Sequence, residues 1–125
     1  MTTVLRPFAA LILALAASAC AMMAPAPVKF ADGMLVDSGG MTLYTFDRDT
    51  VSGKSACNGP CAALWPPLKA GADARDGGDW SVVTRDDGAK QWAYKGKPVY
   101  TYAKDQKAGE KTGDGFNNVW HIVKG

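Results

Sequence analysis

Three cysteines, a single histidine and two aspartates that close similar phrases are the residues of this 125-residue chain whose types and spacing could do chemistry. Cys57 and Cys61 stand four apart in CNGPC. Asn-Gly-Pro turns a chain tightly enough to bring two sulfurs together, so in an oxidising compartment the pair is expected to form a disulfide. A bridge closing so small a loop contributes about 2 kcal/mol and locks a turn rather than holding up a fold. A redox dithiol is the sharper alternative. Thioredoxin-like sites, however, use C-x-x-C where a strand enters a helix, and here three residues separate the sulfurs with no parallel strand-helix unit around them. His121, the sole histidine, is a weak metal candidate, because a triad or multi-histidine site has nothing else to build on; a half-buried, hydrogen-bonded ring is expected. Asp47 and Asp49 lie in DRDTVSG, which lacks the ligand series and distal Glu of a calcium loop. Surface turn carboxylates are expected. Met22 and Met23 could bind copper, but no histidine or further methionine stands nearby. With no phosphate-cradling loop and no G-x-S-x-G elbow, no catalytic residue, metal or cofactor is expected.

The remaining cysteine reads differently. MTTVLRP followed by FAALILALAASA has the weakly basic leader and short apolar run of a signal peptide over residues 1–19, and that run is too short to span a bilayer. Ser18 and Ala19 then precede Cys20, as lipid attachment to a new amino-terminal cysteine requires, although Ala17 stands where leucine is usual. Cleavage after Ala19 by ordinary signal peptidase, releasing a soluble periplasmic or secreted protein, is the alternative. Acylating Cys20 leaves an even pair behind it. Residues 20–32, rich in Ala and Pro without an apolar period, are expected to be a tether. Residues 33–125 are expected to be one domain, because the chain is too short for a second core. A net charge of +2 argues against a nucleic-acid partner.

The elements that must position these residues are written twice. GMTLYTFDRDTVSG (40–53) laid over GKPVYTYAKDQKAG (96–109) aligns Tyr44 with Tyr100, Phe46 with Tyr102 and Asp49 with Asp105, each 56 apart, while Trp65 and Trp120 are 55 apart. Duplication is the economical explanation. Each copy, about 33–68 and 79–123, reads as a β-hairpin, turning at Asp-Ser-Gly-Gly in the first and Lys-Gly-Lys-Pro in the second. A further strand pair is expected around Asp86-Asp87-Gly88. Alternation puts Tyr44 and Phe46 on one face and Leu43 and Thr45 on the other, with Tyr100 and Tyr102 opposing Val99 and Thr101 likewise. Pro60 to Trp65 suits one helical turn stopped by Pro66-Pro67. The expected fold is all-β, a small antiparallel sandwich or barrel-like domain with two hairpin units related by an approximate two-fold. Asp49 and Asp105, at strand ends, are expected to accept hydrogen bonds from their own downstream backbone.

Tyr44-x-Phe46-x-x-Asp49 and Tyr100-x-Tyr102-x-x-Asp105, with Cys57, Cys61 and Trp65-Pro66-Pro67 in one copy and Trp120 in the other, resemble the bacterial "secreted repeat of unknown function" family, predicted envelope lipoproteins with a Yx(FWY)xxD motif. The resemblance implies an exported, anchored tandem-repeat protein and no established reaction. The second copy lacks the cysteine pair and WPP, so any role of those elements belongs to one half.

Two functional classes follow. In the first, the protein is a non-catalytic envelope module anchored to the membrane through Cys20, binding an envelope protein or glycan on an aromatic surface drawn from Trp65, Trp92, Trp120 and Tyr94. In the second it is a periplasmic redox or copper-handling protein using Cys57 and Cys61.

Overall fold

The computed structural model describes residues 26–125. The signal-peptide and Cys20 readings lie outside the described residues. Seven strands follow in order: β1 (Val28–Ala31), β2 (Met34–Asp37), β3 (Tyr44–Phe46), β4 (Trp80–Thr84), β5 (Lys90–Tyr94), β6 (Lys97–Pro98) and β7 (Trp120–Ile122). A single short helix, α1 (Pro60–Leu64), and a 3-10 turn at Phe116–Asn118 complete the regular structure among the described residues. Every strand pairing is antiparallel.

The two copies build alike. β1–β2 in the first answers β4–β5 in the second, and the returning segment pairs Val36 with Thr42 in one copy and Ala93 with Pro98 in the other. Gly40 (φ 88°) and Gly96 (φ 84°) turn the chain at equivalent points where an L side chain would be strained. α1 and the 3-10 turn also begin at equivalent residues, Pro60 and Phe116. The tether expected over 20–32 ends earlier than that. Val28 to Ala31 pair with Asp37 to Met34, because a lone second strand would leave its outer ladder unpaired.

The copies do not stand side by side; they exchange their last segments. β3 of the first copy pairs with β7 of the second, Tyr44 opposite Ile122 and Phe46 opposite Trp120. Reciprocally, Pro67 of the first copy bridges Tyr100 of the second, and the Ala103 N–H donates to the Leu64 carbonyl as Asp47 N–H donates to Val119. At the centre, Tyr44 and Tyr100 face each other with both N–H···O bonds made, at 2.8 and 3.0 Å. The hairpin expected from the sequence is therefore made by Thr42 and Leu43 against β2, and β3 itself pairs only with the second copy.

Alternation along β3 and its counterpart separates two clusters. Leu43 and Val99 point to one side with Leu35, Leu68 and Trp92; Tyr44, Tyr100 and Tyr102 point to the other with Cys57, Trp65 and Trp120. Both faces of the central strands are thus buried, which suits continuous apolar and aromatic runs better than the polar-apolar alternation of a half-exposed strand.

Candidate functional site

The repeated motif side chains converge on the second cluster, and they too are exchanged. The Tyr44 hydroxyl donates to Asp105 Oδ2 at 2.6 Å, and the Tyr100 hydroxyl donates to Asp49 Oδ2 at 2.7 Å. Each tyrosine reaches the aspartate of the other copy. Each aspartate also takes the N–H seven residues downstream: Asp49 from Ala56 at 2.6 Å, and Asp105 from Thr112 at 2.9 Å, with the Thr112 hydroxyl added at 2.5 Å. The expected downstream backbone bonds are present. The expectation of surface turn carboxylates holds for Asp47, which is exposed, and is corrected for Asp49, which is half-buried because it must meet a tyrosine buried at the centre of the fold; its counterpart Asp105 is only 6% exposed.

Burial first, and then the facing Asp105, hold the Tyr44 phenol well above its ordinary range, while the Gly113 N–H partly opposes them. Burial likewise raises Tyr100, with Asp49 adding to it and Ser55 opposing. Burial also raises Asp49, against the Ala56 N–H, the Tyr100 hydroxyl and the Arg85 charge. A phenol whose folded pKa exceeds its unfolded value contributes stability below the unfolded value, and that contribution is lost as pH rises through the folded one. Stability is therefore expected to fall as pH climbs beyond about 10, the unfolded phenol value. Absorbance at the tyrosinate band should rise together with unfolding, and Tyr44→Phe combined with Tyr100→Phe should shrink that joint step.

Arg85 is a site residue that the sequence reading missed. It is 5% exposed, and donates to Ser55 Oγ at 3.0 Å, Gln91 Oε1 at 2.8 Å, the Cys57 carbonyl at 2.5 Å and Asn58 Oδ1 at 3.3 Å. It pins the cysteine loop to the β4–β5 hairpin. Its one signal in the sequence is a position at the end of a strand, which is also where solvated arginines stand.

The aromatics form a four-ring stack across the two-fold, in the order Phe46, Trp120, Trp65, Tyr102. Trp65 and Trp120 lie 3.8 Å apart and 3° from parallel. Burial holds this stacked pair, and edge contacts from Tyr44 onto Trp65 (5.3 Å, 80°) and from Tyr100 onto Trp120 (5.2 Å, 87°) add the favourable edge-to-face geometry. Gly113 stands where the first copy has Cys57, and a Cβ there would come within 2.6 Å of Trp65 and 2.9 Å of Tyr102. Gly113→Ala is expected to cost about 2 kcal/mol in urea denaturation, as overpacking of a filled core does.

The outer edges of the two tryptophans floor an open cleft of about 290 Å³. α1 flanks it with Cys61 and Leu64, the 3-10 turn with Phe116 and Asn117, and Arg48 stands at its rim. Phe116 is 38% exposed there. Trp65 and Trp120 are thus brought together, but Trp92 is not with them. All three tryptophans are buried to the same degree, but Trp92 packs inside the opposite cluster, away from the cleft that Trp65 and Trp120 line, and Tyr94 lies on that same far side. Cys57 and Cys61 are joined (S–S 2.08 Å), with Cys57 fully buried and Cys61 at the cleft wall. His121 pairs with Asp47 at 2.8 Å, both side chains nearly half exposed, an arrangement of small energetic weight. Among the described residues no three metal-capable side chains lie together, and no helix is long and apolar enough to cross a membrane.

Comparison with curated proteins and with solved structures finds no match. A family model matches the chain twice, over residues 27–69 and 81–124, and those bounds coincide with the two exchanged copies. The chain belongs to the family described as a secreted repeat of unknown function.

Proposed function

We propose that this is an exported envelope lipoprotein, anchored through Cys20, that acts without catalysis by binding an envelope protein or glycan in the cleft over the Trp65–Trp120 pair. The observation that carries the reading is the division of labour among the aromatic and polar side chains. Tyr44, Tyr100, Asp49 and Asp105 are spent on one another. What stays open to solvent is an aromatic-walled cleft with one guanidinium and one amide at its edge. Flat apolar walls with a few polar groups suit sugar rings and aromatic or aliphatic side chains alike.

Cys61 at the cleft wall favours one second reading, a dithiol that exchanges with whatever enters. The fully buried Cys57 favours the structural role.

A photoreactive residue at Asn117, on the rim, is expected to capture one envelope component in intact cells. Phe116→Ala should reduce the yield about tenfold, the loss of one exposed aromatic anchor. The same probe at Asp73, outside the cleft, should capture none of it. Equal capture from both positions, or indifference to Phe116→Ala, would contradict cleft binding.

A further inference from the structure

A second aromatic patch lies across the fold from the cleft. Phe30, on β1, is 48% exposed, and its ring meets Tyr94 of β5 edge-on at 6.2 Å; Tyr94 in turn leans on Trp80 of β4 at 4.9 Å. Three elements therefore contribute rings to one partly exposed surface. Lys95 holds its ammonium 5.4 Å from the Tyr94 ring, and Lys97 faces Tyr94 across the β5–β6 pair. Asp79 precedes Trp80 in the chain, and Asp32 follows β1.

The patch sits next to the start of the described chain. Ala26 is buried in the cluster against which Val28, Trp80 and Tyr94 pack. Five residues stand between it and Cys20, so six steps along the chain give a reach of at most about 21 Å even if fully extended. An acyl chain on Cys20 would hold this side of the fold within that distance of the bilayer. Tyrosine and tryptophan favour the interfacial layer, where the ring is covered and the polar edge stays wet, and lysines beside them meet lipid phosphates.

We propose that the Phe30, Trp80 and Tyr94 face rests on the headgroup surface of the membrane that holds the Cys20 anchor. The proposal rests on the anchored reading above. It also sets the orientation of the cleft: Leu43 and Tyr44 point to opposite sides of one strand, so with the Leu43 side down the Tyr44 side, and the cleft with it, opens away from the lipid.

The test uses full-length protein recovered from membranes and placed in phosphatidylcholine–phosphatidylglycerol vesicles with brominated acyl chains. Trp65 and Trp120 lie in the opposite cluster, so bromine should quench Trp80 and, more weakly, the buried Trp92 6.1 Å behind it; the Trp80 share is taken as wild type minus Trp80→Phe. Phe30→Ser, which keeps Trp80, should weaken that quenching. Near-ultraviolet circular dichroism shows whether each variant is folded. Intact mass reports whether Cys20 carries lipid. A Cys20→Ala form held by an amino-terminal hexahistidine on a nickel-chelating lipid separates the two possible failures. Unmodified Cys20 with Trp80 quenched on the chelating lipid would remove the anchor and keep the face. Acylated Cys20 with Trp80 unquenched would overturn the face and keep the anchor. Crosslinking of two copies through residue 30, without quenching, would assign the patch to a second copy of this chain and overturn the proposal as well.

Discussion

Cut between Asp73 and Asp76 and separated, the two halves of the chain are each expected to be unfolded and to regain native β structure only when mixed. The expectation comes from the exchange. Every partner of β3, and both bridges of its counterpart Tyr100, are supplied by the other copy. A separated half would leave those N–H and C=O groups unpaired beside an apolar surface. It would also uncover its tryptophan, whose burial in the Trp65–Trp120 pair is worth roughly 4–6 kcal/mol as an upper figure from the area a tryptophan removes from water. About fifty residues seldom cover such a deficit from a core of their own. The far-ultraviolet circular dichroism of each fragment, alone and mixed, reads the outcome; a cooperative thermal transition in either fragment alone would mean that the copies are independent.

Asp105→Ala is expected to cost about 3 kcal/mol and Asp49→Ala about 1 kcal/mol, although the two aspartates hold equivalent places, because buried hydrogen bonds to a charged group are worth more than half-exposed ones. Asp105 is 6% exposed, and three donors converge on it: the Tyr44 hydroxyl and both groups of Thr112. Its loss strands a fully buried phenol. Around Asp49 the loss is softened, since the Tyr100 hydroxyl keeps Ser55 Oγ at 2.6 Å. Urea denaturation of both variants measures the difference; equal costs would mean that the surroundings of the two aspartates do not matter.

Much of the framework is legible in the chain because it rests on local rules. The 56-residue offset locates the copies, turn residues locate the hairpins, and alternation along Leu43 to Phe46 sorts the two clusters. The Cys57–Cys61 bridge follows from a spacing that any tight turn can close. What the chain hides is which copy completes which. A pattern equal in both halves fits Tyr44 bonding to Asp49 as well as to Asp105, and only the exchanged topology decides between them. Arg85 was hidden for a similar reason: its four acceptors come from two separate stretches of chain, the cysteine loop and β5. The division of the tryptophans was also illegible. Trp92 and Trp120 are equally rich in aromatic neighbours along the sequence, yet strand register sends them to opposite sides of the fold.

The central claim is that the repeated motif works across the copies, each tyrosine closing on the other copy's aspartate. A double-mutant cycle on Tyr44→Phe and Asp105→Ala, followed by urea denaturation, tests it most directly, with Tyr44→Phe and Asp49→Ala as the comparison. Coupling of about 2 kcal/mol is expected for the first pair and near zero for the second, as for groups that touch and groups that do not. Coupling between Tyr44 and Asp49, with none between Tyr44 and Asp105, would contradict the exchange.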